Sequence, residues 1–318
     1  MSGSTARSCV SSLAEPAEEA PGRPTSIGDT ARVVAFYRAL ESERAEALFH
    51  DPYARRLAGA RGERLVQLLA SVELAAAVVA QRTAVFDELL LRAVKVDGVD
   101  AILNLGAGLD ARAYRLPLPR SVRWLDVDLP EMVVDRQAVL RGALAECQVE
   151  TIALDLADHR ARQALFERLN ADRRRVLVVT EGLLLYLSPA EVASLAADLY
   201  AQSSFGAWLT DLMSPMAARQ MQRAVGRVLA GAGAALSLAP TNGPAFFRTY
   251  GWHPSEVRLS LAEARRLGRP LPLPRLLSLV LRLAAPWQRR AGWPMDATVL
   301  LSRDPPHGLD GCTCQILA

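Results

Sequence analysis

The sequence predicts a doubly wound α/β fold with a mostly parallel sheet. Two observations carry this. From about residue 99 onward, short apolar runs alternate with helix-like segments, the rhythm of a parallel sheet covered by helices on both faces. Each of the first four runs also ends in a glycine or a polar residue on its carboxyl side, where such sheets bind ligands. Composition agrees: 318 residues, 51% hydrophobic and 22% charged, suit one large globular domain.

The elements follow in order. Residues 1–24 are rich in Ser, Ala, Glu and Pro without apolar periodicity and read as a disordered leader. A single domain is expected over residues 25–318. Residues 25–98 read as a helical cap, with Val33, Val34, Phe36, Tyr37 and Leu40 at helical spacing. A second helix is expected at Asp51-Pro52, Asp51 capping and Pro52 in the first turn. Further helical patterns occupy Val72–Ala80 and Arg82–Val94. Strands are expected at 101–105, 122–128, 149–155, 176–180 and 207–211, with helices at 161–169 and 189–200. These make residues 99–213 the core of the ligand-binding sheet. Residues 214–250 read as a helical insertion, and 251–318 as the rest of the core, with a last strand at 296–302. Met213, Met216 and Met221 suit either an apolar substrate pocket or ordinary core packing.

Composition also excludes classes. The formal charge is +3 and Lys95 is the only lysine. The one basic run, Arg173-Arg174-Arg175, contains no aromatic residue, so no nucleic-acid partner is expected. No apolar run approaches the ~20 residues of a membrane helix, and no secretory signal opens the chain, which points to the cytoplasm. Cys9, Cys147, Cys312 and Cys314 lack zinc-site spacing, and no metal is expected. Oligomeric state is not legible.

The chemistry lies at the strand ends. The first strand runs into Gly106-Ala107-Gly108-Leu109-Asp110, a loop that lets a ligand lie against the backbone. With Ala111 in the third small-residue place, this loop fits either a dinucleotide or S-adenosylmethionine. Asp110 separates the two. As a helix cap or as a ligand-facing acid, its carboxylate repels a pyrophosphate and tolerates the ammonium and sulfonium of S-adenosylmethionine. Asp126 and Asp128 alternate onto one face of the second strand. Asp128 lies 22 positions beyond Gly106 (128 − 106), close to the ~20 expected of a ribose-binding acid. Asp155-Leu156 suits an adenine, one residue accepting from the amino group and the other packing on the ring. Glu181, after the fourth strand, suits the methionine ammonium or the substrate.

Three stretches together carry a family resemblance: Asn104-Leu105-Gly106-Ala107-Gly108-Leu109-Asp110-Ala111-Arg112, Asp126-Val127-Asp128-Leu129-Pro130, and Thr180-Glu181-Gly182-Leu183-Leu184-Leu185-Tyr186-Leu187. With Arg38-Ala39-Leu40-Glu41, Ala47–Pro52 and Gln81-Arg82-Thr83, the chain resembles the leucine carboxyl methyltransferase family, in particular its bacterial branch of aromatic-polyketide O-methyltransferases of the tetracenomycin type. The resemblance runs from about Thr30 to Tyr186 and more loosely to Trp252 and beyond. It implies a class I methyltransferase fold, Rossmann-like, using S-adenosylmethionine. It further implies that Arg82 grips the methionine carboxylate and Gly106 and Gly108 form the cofactor loop. Asp128 would hold the ribose, Asp155 and Leu156 the adenine, and Glu181 would stand near the ammonium. The insertion and the region near Trp252 would decide the substrate.

Methyl transfer is a displacement at a carbon already activated by sulfonium, so alignment and exclusion of water dominate. A carboxylate acceptor needs no base, whereas a phenol or alcohol benefits from one. Tyr186 and His253 are the candidates, His253 reading equally well as a loop residue. The expected function is thus O-methylation of a small-molecule carboxylate or hydroxyl, the resemblance implying a polyketide or other secondary metabolite. The alternatives are a protein C-terminal carboxyl methyltransferase, a nicotinamide-dependent oxidoreductase and an inactive binding protein on the same fold.

Overall fold

The computed structural model describes residues 27–68, 72–172, 174–231, 235–272 and 296–303. The expected leader and the Cys312/Cys314 tail lie outside them. The described residues form a seven-stranded sheet in the order β3-β2-β1-β4-β5-β7-β6. Its strands are β1 (Ala101–Leu105), β2 (Arg123–Asp128), β3 (Gln148–Ala153), β4 (Val176–Thr180), β5 (Phe205–Leu212), β6 (His253–Leu259) and β7 (Ala297–Ser302). The first five are mutually parallel, and β7 runs antiparallel to both β5 and β6. Strand order reverses between β1 and β4, the crevice where doubly wound sheets bind ligands.

Helices α1 (Ile27–Ser42), α2 (Ala54–Gln67) and α3 (Val72–Lys95) precede the sheet. Between its strands run α4 (Arg112–Arg115), α5 (Pro130–Leu140), α6 (His159–Ala171) and α7 (Pro189–Tyr200), followed by α8 (Pro215–Gly231) and α9 (Ser260–Arg266). Two 3-10 turns occupy Leu184–Tyr186 and Gly243–Tyr250. Local chemistry fixes several starts. Pro189 follows Ser188, whose hydroxyl accepts from the Glu191 amide while the Glu191 carboxylate accepts from the Ser188 amide, a reciprocal capping box. Asp158 caps α6 by accepting from the amides of Arg160 and Ala161. Asp51 does not cap α2 directly: its carboxylate accepts from the Tyr53 amide in the preceding turn and from Arg38.

β1 and β4 are buried throughout, as central parallel strands must be. Alternation sends Ile102 to one face, with Val85, Phe86, Leu89 and Leu90 of α3. It sends Leu103 and Leu105 to the other, with Phe166 of α6 and Leu195 and Leu199 of α7. The first hundred residues are therefore not only a cap. α3 is one continuous helix in the layer that covers the sheet, while α1 and α2 form a separate core with Met132 and Leu140 of α5. Trp252 is fully buried, edge-on to Trp208 and Tyr200, with its indole N–H donating to the Ala196 carbonyl at 3.0 Å. It is a core residue and not part of a substrate surface. Met216 is 42% exposed, so it does not belong to the core.

Candidate active site

The strand ends assemble where the topology requires. Gly106 leaves β1 with φ +64° and Gly108 follows with φ +52°, values that favour glycine. A Cβ on Gly106 would come within 2.9 Å of the Leu183 side chain, so the loop is closed against the end of β4. Asp128, ending β2, accepts from the Gly108 amide at 2.5 Å and the Leu129 amide at 2.7 Å, one bond to each oxygen. Burial raises its pKa and these amides work against that. An ionised carboxylate offers about four acceptor sites. Two are used here, and two remain for a diol. Asp155 is exposed beside it: the amide preceding it in chain, that of Leu154, donates to the Asp128 carbonyl. Asp155 itself accepts from the Ala157 amide at 2.9 Å, and Leu156 packs half-buried on the core.

The centre of the edge is an ion-pair network. Arg82, from α3, donates through Nε to Glu181 and through Nη1 to Asp211, both at 2.9 Å. Asp211 also accepts from the Gly182 amide at 2.7 Å. Arg112 lies 2.6 Å from Glu181, 2.9 Å from Asp110 and 2.6 Å from Asp87, with Nη2 buried and unpartnered. Burial would raise the Asp110 pKa, but the guanidiniums of Arg112, Arg38 and Arg115 outweigh it and hold it at about 2. Asp110 also accepts from the Arg112 amide at 2.8 Å, one residue before the Ala111 cap of α4, and stays ionised. Glu181 is likewise lowered: Arg112 and Arg82 overcome its burial.

Tyr186 sits in the 3-10 turn after β4, its hydroxyl beside Thr30 of α1. Burial raises its pKa despite Arg82, which keeps the phenol protonated, a donor and not a base. His253 is a correction. It opens β6 opposite Ser302, which faces Ala207 near the start of β5. Ala207 lies four residues, roughly 13 Å, below Asp211, so His253 stands at the amino edge of the parallel strands, away from the site. Asp126 does not join Asp128 either. It is buried and accepts from Asn104 at 2.9 Å and Trp124 at 2.8 Å. Asp211 and Arg112 were missed. Asp211 ends the fifth strand, and the strand-end rule applied to the first four would have found it there.

A family model described as leucine carboxyl methyltransferase matches residues 31–199, more than half of the chain. The chain belongs to this family. A Frankia alni protein named as an S-adenosyl-L-methionine-dependent methyltransferase is 33% identical over 265 residues, 79% of this chain and 92% of that one. A Streptomyces coelicolor protein of the same name is 35% identical over 201 residues, 58% of this chain and 68% of its own. A Thermobifida fusca structure titled as a methyltransferase shares the fold at a TM-score of 0.54 and 15% identity, covering 88% of this chain and 95% of its own. The enzyme is accordingly an S-adenosylmethionine-dependent methyltransferase. Its residues fit that group: a diol acceptor with two sites left, a loop whose glycines keep the backbone bare, and carboxylates outnumbering the guanidiniums between them. No helix among the described residues is long and apolar enough to cross a membrane.

Proposed function

We propose that this methyltransferase transfers its methyl group to an oxygen of a small molecule, a carboxylate or hydroxyl of a polyketide or other secondary metabolite, within the cytoplasm. Gly106 and Gly108 line the cofactor loop, Asp128 holds the ribose, and Asp155 with Leu156 holds the adenine. Arg82, whose Nε and Nη1 are engaged, offers Nη2 to the methionine carboxylate, and Glu181 balances the ammonium. Bound there, S-adenosylmethionine supplies an electrophilic methyl, and the protein aligns the acceptor and excludes water.

The observation that carries the small-molecule reading is enclosure. α1 lies across the ligand edge: Thr30 stands beside Tyr186, Arg38 donates to the Leu109 carbonyl at 2.6 Å, and Ala31 stands 3.6 Å from the place of a Gly108 Cβ. A helix seated on the cofactor loop favours an acceptor that enters whole over the terminus of a folded protein. Membership of a methyltransferase family opposes a nicotinamide-dependent oxidoreductase.

Calorimetric titration with S-adenosylhomocysteine tests the reading. Micromolar binding by the wild type is expected, weakened roughly 10- to 100-fold in Asp128→Ala, the worth of hydrogen bonds to a charged group. Equal binding by both proteins would remove Asp128 as the ribose anchor, and binding of NAD in place of the homocysteine would overturn the reading.

A further inference from the structure

The nucleoside end of the cofactor lies at the ends of β1, β2 and β3, and its methionine end reaches Glu181 and Arg82 beside the end of β4. The edge beyond, at the end of β5 and the start of β7, is left for the acceptor. Asp296 stands there. It directly precedes β7, whose first residue Ala297 pairs with Leu212 at the end of β5 and with Leu259, and its carbonyl accepts from the Ser260 amide at 2.9 Å. Its carboxylate accepts from the Ser214 amide, but Oδ1 is buried with no partner. A buried acceptor left unpaired is costly.

A second orphan lies on α3. Gln81 of α3 is 1% exposed, and neither its amide nitrogen nor its amide oxygen has a partner. The face of α3 that carries Gln81 can be followed down the helix: Glu88 pairs with Arg258 and Arg92 with Glu256, both of β6. From Glu88 to Gln81 the helix rises about 10 Å. From Arg258, β6 runs one residue on to Leu259 before α9 begins at Ser260. Gln81 therefore lies on the carboxyl-edge side of Glu88, the side of Ser260 and Asp296. The neighbouring Arg82 acts electrostatically on Asp296 from the same turn of α3.

We propose that Asp296 receives the proton of a hydroxyl acceptor, with the Gln81 amide as a second polar contact to the same molecule, so that the acceptor is a phenol or alcohol. This rests on the methyl-transfer reading above. The acceptor O–H bond breaks and its proton passes to Asp296 Oδ1. The acceptor oxygen bonds to the methyl carbon as the bond from that carbon to sulfur breaks, its electron pair staying on sulfur to give the neutral thioether. Tyr186, held protonated, cannot take this part, and His253 is out of reach.

Asp296 has the acidity the role needs. Burial raises its pKa to about 6, Asp211 adds to the rise, and Ser214 and Arg82 oppose it. The other nearby acid, Glu263 of α9, is turned to Arg258 and Arg266. The native carboxyl thus keeps its proton to higher pH than the unfolded one (about 4). Stability is fully present below pH 4 and is lost as pH rises to about 6.

The test compares the wild type with Asp296→Asn and Gln81→Leu in three measurements. The Asn variant should melt higher than the wild type at pH 8, the gap closing toward pH 4. All three proteins should bind S-adenosylhomocysteine within threefold of one another. With 1-naphthol and benzyl alcohol as hydroxyl probes, and 1-naphthoate and benzoate as acid probes, the wild type should methylate a hydroxyl probe with an acid limb near pH 6. Asp296→Asn should lose at least 100-fold in kcat and lose that limb, and Gln81→Leu should raise KM. A lower midpoint of the Asn variant at pH 8, turnover of the acid probes alone or of none, or an unchanged pH profile overturns the proposal. Failure of the wild type to bind S-adenosylhomocysteine is the separate failure of the methyl-transfer reading.

Discussion

Replacing Arg82 by methionine keeps most of the side-chain volume and removes one guanidinium from between two carboxylates. The two are not affected equally. Glu181 retains Arg112 at 2.6 Å. Among the described residues, Asp211 retains the Gly182 amide at 2.7 Å and its own backbone amide, and no cation. Burial already raises the Asp211 pKa, with Arg82 the main opposing charge. Stranding a buried charge costs about 3 kcal/mol, the lower end of the range because Asp211 is 14% and Arg82 19% exposed in their side chains. That is a large share of the ~5–15 kcal/mol that holds a domain together, and it corresponds to a melting point lower by on the order of 10 °C at pH 8. The sign of the pH dependence follows. In the variant the folded Asp211 pKa is raised further above its unfolded value, so the variant's stability is lost as pH rises through that folded pKa. The gap to the wild type should therefore narrow as pH falls from 8 to 5, and Asp211→Asn should recover most of the loss at pH 8. Calorimetric melting of the two single variants and the double variant over that range is the assay. A gap that is constant with pH, unrescued by Asp211→Asn, would mean that Arg82 stabilises by packing and not by charge.

Two further outcomes follow from the site's geometry. Gly106→Ala should cost about 1–2 kcal/mol for a left-handed non-glycine residue and weaken S-adenosylhomocysteine at least tenfold in calorimetry, because φ is +64° and Leu183 lies 2.9 Å from the new carbon. His253→Gln should leave kcat and its pH profile unchanged in a steady-state assay, since β6 starts at the opposite edge of the sheet; a shifted profile would return the imidazole to the chemistry.

Apolar runs made six of the seven strands legible. The exception, β6, reads His253-Pro254-Ser255-Glu256-Val257-Arg258-Leu259. It is an edge strand, where proline and charge are tolerated, and Glu256 and Arg258 face ion-pair partners on α3. Its polarity is satisfied by residues more than 150 positions away in sequence, so local periodicity could not show it. The same distance hid the wiring of the site. Gly106, Asp128 and Glu181 follow from position at a strand end, a local property. That Arg82 would divide itself between Glu181 and Asp211, 99 and 129 positions on, does not. Asp126 and Asp128 show the limit of alternation: the two share a face, but only Asp128 reaches the edge, while Asp126 is one turn of the pleat deeper, where its Oδ1 accepts from both Asn104 and Trp124 and its Oδ2 faces Arg136.

The ion pairs also explain why the N-terminal helices belong to the catalytic unit. Charges alternate along one path: Arg38 of α1 holds Asp51 at 3.0 Å, Arg115 approaches Asp51 at 3.7 Å and Asp87 of α3 at 2.6 Å, Asp87 holds Arg112, Arg112 holds Glu181, and Glu181 shares Arg82 with Asp211. Every step joins groups that would be costly to bury alone, so no link can be withdrawn without stranding its neighbour. The first link lies in α1 and the last at the end of β5. Seating α1 is therefore coupled to the charge balance at Glu181 and Asp211, the place proposed for the methionine end of the cofactor, and a cofactor that is favoured by that balance favours the seating of α1 by the same free energy.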